Sequence, residues 1–305
     1  MKTLEEIEKQ LFQEVANISE PPKGAYNFRV NGKSIGRQSS KHIDVQPQEG
    51  GLIITVAPNT PDEVVHIPVV ISKTGHKEVV INDFYIGDNA DVTIVAGCGI
   101  YNCGTKDSVH DGVHTFHVGK NAKVRYIEKH YGAGPGAGKI LNPVSKFYLE
   151  EGAYVEVQME QIRGVDDAAR ETTAQLGKNA KICIQERLLT QGHQHADSKI
   201  AVTLKGANSA ADIVSRAVAT DESVQTFTSH IVGLAPCRGH SECDAILQDK
   251  AKVLASPALD AHNLDAQLIH EAAIGKIAGE QLDKLMTLGL TRQQAESQII
   301  NGFLK

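Results

Sequence analysis

The chain has 305 residues, 41% hydrophobic and 22% charged, with a net charge of −6, which suits a soluble globular protein with a sizeable core. The acidic balance and the lack of a Lys/Arg run count against nucleic-acid binding, and the absence of tryptophan with 5% aromatics disfavours stacking clefts for bases or sugars. Five cysteines are an odd number and too few for a disulfide scaffold. With no signal-like apolar segment at Met1–Glu6 and no apolar run of membrane-spanning length, the expectation is a cytoplasmic protein in a reducing compartment.

Leu4, Ile7, Leu11 and Val15 share one helical face, opposite Glu5, Glu6, Glu8 and Lys9, and Glu20-Pro21-Pro22-Lys23-Gly24 stops that helix. Residues 1–24 are thus an N-terminal helical segment. From residue 25 the pattern changes to short β-branched runs between turn residues, such as Gly51-Leu52-Ile53-Ile54-Thr55-Val56.

A repeat runs through this region. Gly87-Asp88-Asn89-Ala90 recurs as Gly119-Lys120-Asn121-Ala122 and Gly177-Lys178-Asn179-Ala180, with a degenerate copy at Glu150-Glu151-Gly152-Ala153. Gly206-Ala207-Asn208-Ser209-Ala210 extends it, so that the alanines fall at intervals of 32, 31, 27 and 30 residues. Turns at near-constant spacing signal a solenoid with a small residue on the inside corner. The interval suits two long strands per coil; an antiparallel sandwich would have little reason to repeat one tetrapeptide. Residues 25–257 are therefore read as a mainly β parallel β-helix (solenoid) core.

Residues 258–305 read as a C-terminal helical segment. Ile277, Leu282, Leu285 and Met286 form a helix ended at Leu288-Gly289-Leu290, and Thr291 with Gln294 caps a second helix carrying Ala295, Ile299, Ile300 and Phe303.

Several motifs carry potential chemistry. Ala133–Ile140 resembles a phosphate-binding P-loop but lacks the Ser/Thr hydroxyl, and Pro143 would break the following helix. It is read as a mobile glycine loop, and Tyr126–His130 before it as something other than a buried parallel strand. Cys98, Cys103, His110, His114 and His117 are the densest group of possible ligands; on a strand His110 and His114 share a face that His117 does not, and Cys98 and His110 are retained as candidates. His193 and His195 are a weaker pair. The most informative clusters are Gly239-His240-Ser241-Glu242-Cys243-Asp244 and His270-Glu271. Thiol, imidazole and carboxylate together suit an iron or zinc site, an activated cysteine, or a buried core cysteine beside a helix N-terminus.

At these residues the chain resembles the SufB/SufD family, scaffold proteins of SUF iron–sulfur cluster assembly. The resemblance rests on Arg163-Gly164-Val165-Asp166 with Arg170, Ser215-Arg216, Gly239–Asp244, Pro257, His270-Glu271-Ala272, Gly275-Lys276-Ile277, Glu280-Gln281-Leu282, Leu288-Gly289-Leu290 and Ile300–Phe303. It implies a right-handed parallel β-helix with helical termini, pairing through the β-helix, and a SufC-like ABC ATPase as partner. The ATPase would dock on Ile277, Leu282, Leu285, Leu290, Ile299 and Phe303.

It further implies that Cys243, His270 and Glu271 hold iron, a transient iron–sulfur cluster or persulfide sulfur, with Cys98, His110, His240 and Asp244 as weaker members. A sulfur donor and apo iron–sulfur proteins would be further partners. The scaffold itself would be non-enzymatic, and the short chain carrying both clusters suggests a homodimer. The other readings are a structural ATPase partner that ligates nothing and a β-helix polysaccharide hydrolase or lyase.

Overall fold

The structure, a computed structural model, describes residues 3–304, with Ile162 described by its backbone alone. Helix α1 (Leu4–Ala16) starts at a Thr3–Glu6 capping box and ends at Asn17 in the left-handed region. Strands follow as β1 (Ala25–Val30), β2 (Lys33–Gln38), β3 (Ile43–Gln48), β4 (Gly51–Val56), β5 (Glu63–Ile71), β6 (Lys77–Ile86) and β7 (Asp91–Tyr101). Next come β8 (Ser108–Val118), β9 (Lys123–Ala133), β10 (Lys139–Leu141), β11 (Val144–Leu149), β12 (Tyr154–Arg163), β13 (Asp167–Leu176) and β14 (Lys181–Thr190). The last coils use β15 (His195–Leu204), β16 (Ser209–Ala219), β17 (Val224–Gly233), β18 (Cys237–Leu247), β19 (Lys252–Ala261) and β20 (Ala266–Gly275). Helices α2 (Gly279–Thr287) and α3 (Arg292–Phe303) close the chain, α3 with the expected Thr291–Gln294 capping box.

Successive strands alternate between two sheets. One runs β2-β1-β5-β7-β9-β12-β14-β16-β18-β20; the other runs from β3 to β19. Beyond the antiparallel β1–β2 and β3–β4 pairs, every pairing is parallel to the strand one coil earlier. This is a two-strand-per-coil β-solenoid, in agreement with the spacing of the repeat. Its core is continuous: Phe84, Phe116 and Phe147 stack at centroid distances of 4.4 and 4.5 Å on successive coils.

The repeated tetrapeptide has a physical explanation in the corners. Asn89, Asn121, Asn179 and Asn208 all adopt positive φ, between 54° and 59°, a conformation asparagine tolerates better than other non-glycine residues. Ala90, Ala122, Ala153 and Ala180 follow, all buried. Strand register puts Ser209, not Ala210, at the next such corner, and Cys237 after it. The corner needs a small side chain, and serine meets that need.

Three sequence expectations change. Tyr126–His130 lies in β9, a parallel strand whose Tyr126, Glu128 and His130 are all buried. The solenoid continues through β20 to Gly275, past the boundary expected at 257. Pro257 stands inside β19, an edge strand, where the missing N–H is tolerated. Finally, the glycine loop is pinned: Asn102 Nδ2 donates to the Lys106 and Ala137 carbonyls (2.9 and 2.7 Å), and Lys139 is buried 2.9 Å from Asp166.

Helix α1 lies on the outer face of the first sheet, with Leu11, Phe12 and Val15 buried. Gly97 and Gly99 make room for it, since a Cβ on Gly99 would sit 3.0 Å from Leu11 Cβ. Gly99→Val should therefore overpack this contact at a cost of about 1–3 kcal/mol. Limited proteolysis is expected to release residues 1–24 faster than in the parent while the solenoid stays resistant. Unchanged cleavage would contradict this packing.

Candidate functional site

The Cys243 and His270-Glu271 clusters lie on adjacent strands of the last two coils of one sheet. Register pairs Ser241 with His270, Glu242 with Glu271, and Cys243 with Ala272. Side chains alternate across a strand, so parity decides which can meet. Cys243 is fully buried and faces the interior, as do Ser241 and, at the rim, half-buried His270. Glu271 is exposed on the opposite face beside Glu242. Cys243 and His270 are thus diagonal neighbours on one face, and Glu271 does not join them within the chain. Among the described residues no three His, Cys, Asp or Glu side chains converge on a metal position.

Burial, with the Glu186 and Asp244 charges, pushes the Cys243 thiol up to about 12, so it is protonated at neutral pH. That argues against an activated cysteine nucleophile, which needs a lowered pKa. His270 donates Nδ1–H to the Ser241 carbonyl at 3.1 Å. That bond leaves the Nε2 lone pair as the free ligand position.

Cys243 also belongs to an interior ladder that sequence reading missed. Glu128, Met159, Glu186, Ser215, Cys243 and Ala272 occupy successive rungs of one sheet. From the facing sheet, Arg170 donates from Nη1 to Glu128 at 2.7 Å and lies 3.4 Å from Glu186 through Nε. Ser198 and Ser215 complete the Glu186 carboxylate at 2.7 and 3.0 Å. Burial alone would raise the Glu128 carboxyl, but His130 and Arg170 outweigh it and hold it down to about 2. Burial draws the His130 imidazole down to about 3 against the pull of Glu128. The available signal was parity, since charged residues occupy inward positions of strands whose neighbours there are apolar.

The weaker candidates separate. Cys98 and His110 are buried in the interior near the start of the solenoid. Cys98 is five rungs from the coil of Cys243, through His130, Gln161, Leu188 and Ala217 to Ala245, or ~24 Å at the usual strand spacing. His240 faces outward, with Nδ1 2.8 Å from Asp212, and Asp244 points the same way. Cys103 is exposed, His193 is 3.6 Å from Glu222, and His117 is sandwiched outside between Tyr85 and Tyr148. Helices α2 and α3 pack on each other. Leu282 is buried there, Ile277, Leu285, Leu290, Ile299 and Phe303 are half-buried, and Met286 and Leu288 are exposed.

Comparison with known proteins identifies the family. Residues 72–303 match the family model described as SUF system FeS cluster assembly, SufBD core domain. A Methanothermobacter thermautotrophicus protein named as an iron–sulfur cluster assembly SufBD family protein is 28% identical over 243 residues, 77% of this chain and 56% of the relative. One of the same name from Archaeoglobus fulgidus is 30% identical, covering 80% of this chain and 66% of its own length. A Methanocaldococcus jannaschii relative is 25% identical over 97% of this chain and 96% of its own length. The chain thus spans little more than half of the first of these relatives and nearly all of the last.

The buried histidines carry a pH consequence, checked most cleanly in chelator-containing buffer. The imidazoles of His114 and His130, ordinary in the unfolded chain at 6.5, are drawn by burial to about 4 and about 3 when folded. Below 6.5 the unfolded chain takes up protons that the folded chain refuses. The stability present above 6.5 is therefore lost as pH falls towards the folded values, by up to ~1.4 kcal/mol per pH unit for each histidine. Denaturation midpoints should drop between pH 6.5 and 4, and His130→Gln should flatten the slope. An equal slope in that variant would contradict the assignment.

Proposed function

We propose that this chain, which belongs to the SufBD family, is a non-enzymatic scaffold on which iron–sulfur clusters are assembled at the open end of its solenoid. The observation that carries this reading is the asymmetry of the two ends. At the first end, antiparallel strands β2 and β3 flank the sheets, and α1 covers the adjoining outer face. At the other, β19 and β20 also pair on one side only, but they are parallel strands of ten residues each where β2 and β3 have six. Leu254, Ile269 and Ile274 on these strands are 53%, 55% and 41% exposed. Two long unpaired edges with apolar side chains form a template for pairing with another chain.

A second copy seated end-on would bury those edges across a two-fold seam. Cys243 would then lie one rung inside the seam under Ala272, and His270 of each chain would stand at it. Iron and sulfide are cargo in this scheme. Ligation replaces the S–H proton of Cys243 with metal, and the same burial that keeps the free thiol protonated keeps an assembled cluster from water. His270 offers Nε2, whereas Glu271 reaches iron only across the seam or after the last strand moves.

ATP hydrolysis would belong to an ABC-type partner seated on α2 and α3, where Met286 and Leu288 are exposed. The glycine loop supports that division. Lys139 is committed to Asp166, and a Cβ on Gly134 or Gly136 would meet the Asn102 or Gly104 carbonyls within 2.4 Å, so the loop backbone is packed rather than cradled open.

Anaerobic reconstitution of the purified chain with iron(II) and sulfide should give visible cluster absorption, with light scattering reporting a dimer. Cys243→Ser and His270→Ala should each lose most of that absorption, while Cys103→Ser retains it. Absorption unchanged in Cys243→Ser would overturn the role of this cysteine and favour a purely structural partner of the ATPase. Ala272→Arg, which places a charge at the seam over Cys243, should shift the dimer to monomer.

A further inference from the structure

A second group of ligand-type side chains lies deep in the solenoid, away from the open end. Between the sheets is a void of about 10 Å³, the space of one water or one ion, lined among others by Cys98, His110, Gly112, His114, Glu128 and His130. All of the polar residues around it are buried.

The hydrogen-bond network fixes what each imidazole presents. His110 gives Nδ1–H to the Glu78 carboxylate at 3.2 Å, leaving the Nε2 lone pair. Tyr126 donates its hydroxyl proton to Glu128 at 3.0 Å, so at 2.8 Å His114 Nδ1 must be the donor to the tyrosine oxygen. The Nε2 of His114 then also carries its lone pair, which accepts a hydrogen bond from Asn82 Nδ2 at 3.3 Å that a metal would have to replace. His130 is different. Its Nδ1 accepts from Arg170 at 3.1 Å, so the proton sits on Nε2, and this residue holds Glu128 rather than offering a ligand.

These two lone pairs belong to residues flanking Gly112 on one strand face. A Cβ on Gly112 would sit 3.2 Å from His110 Nε2 and 3.7 Å from His114 Nε2, so the glycine leaves open the space that both rings border. Cys98 faces the same void from the other sheet, in register with His130. Asn82, in register with His114, keeps a buried amide oxygen without a hydrogen-bond partner. The chamber's polar groups therefore do not fully satisfy one another.

We propose that Cys98, His110 and His114 form an interior site for a single divalent metal ion of borderline softness, zinc or iron(II) in class, with Glu128 or a water in the fourth position. As the side chains stand, no three donors already surround one point. Closure takes small shifts of the His110 and His114 rings into the space that Gly112 leaves without a side chain. Binding forms one metal–sulfur bond and releases the Cys98 thiol proton, while both imidazoles bind as the neutral tautomers already present. Glu78 and Tyr126 orient those rings from behind, as outer partners do in metal sites. Thiolate with two imidazoles selects a borderline metal over calcium or magnesium. The site is independent of the cluster-assembly reading.

The test is an anaerobic cobalt(II) titration of the chelator-treated full chain, with zinc in competition. One ion per chain should bind and produce a thiolate-to-cobalt charge-transfer band, displaced by zinc. Cys98→Ser should abolish the band, and Gly112→Val should weaken binding by filling the space. Glu78→Gln should weaken it about tenfold or more, whereas Cys243→Ser should leave it unchanged. Circular dichroism confirms the fold of each variant. No binding by the folded parent chain, an unchanged band in Cys98→Ser, or loss of the band in Cys243→Ser instead would each overturn the proposal.

Discussion

Each parallel strand lies in register on the strand one coil earlier, so an inward residue stacks on inward residues and an outward one on outward ones. Every statement about the site depends on this constraint. It makes a column of any position: asparagines at the corners, phenylalanines in the core, and a line from Glu128 through Glu186 and Ser215 to Cys243. A slip of one residue would exchange the faces and put the buried charges outside.

The interior columns also show what the fold tolerates for the sake of its site. A buried carboxylate is costly unless paired and hydrogen-bonded. Glu128 and Glu186 meet this demand through Arg170, Tyr126, Ser198 and Ser215. The result is a polar spine inside an otherwise apolar solenoid, leading from the histidine chamber to within a rung of Cys243. The protonated state of Cys243 follows from this setting, because its burial and the nearby Glu186 and Asp244 carboxylates both disfavour thiolate.

Much of this was legible from the chain, and the reasons are local. Asparagine in the left-handed region followed by a small residue is a turn requirement, so the tetrapeptide repeats wherever the coil turns. The Thr291–Gln294 cap of α3 is likewise written in adjacent residues. The solenoid runs past residue 257 because Pro257 lies in an edge strand, where its missing N–H is tolerated. With His270-Glu271 on a strand, period two sends the two side chains to opposite faces, which separates a pair that looked like one ligand set. The histidine chamber was only half legible. The shared face of His110 and His114 follows from their spacing, but their meeting with Cys98 depends on which coil faces which, and no short stretch of sequence states that. Arg170 was noticed without a role for the same reason.

The central claim is that the last coil is an interface rather than a free surface. Amide hydrogen exchange along β19 and β20, followed as protein concentration is raised, tests it most directly. The account predicts that edge amides of these two strands become protected with concentration while β16 and β18 are protected throughout. Rapid exchange at the β19 and β20 edges at every concentration, with the rest of the solenoid protected, would contradict it.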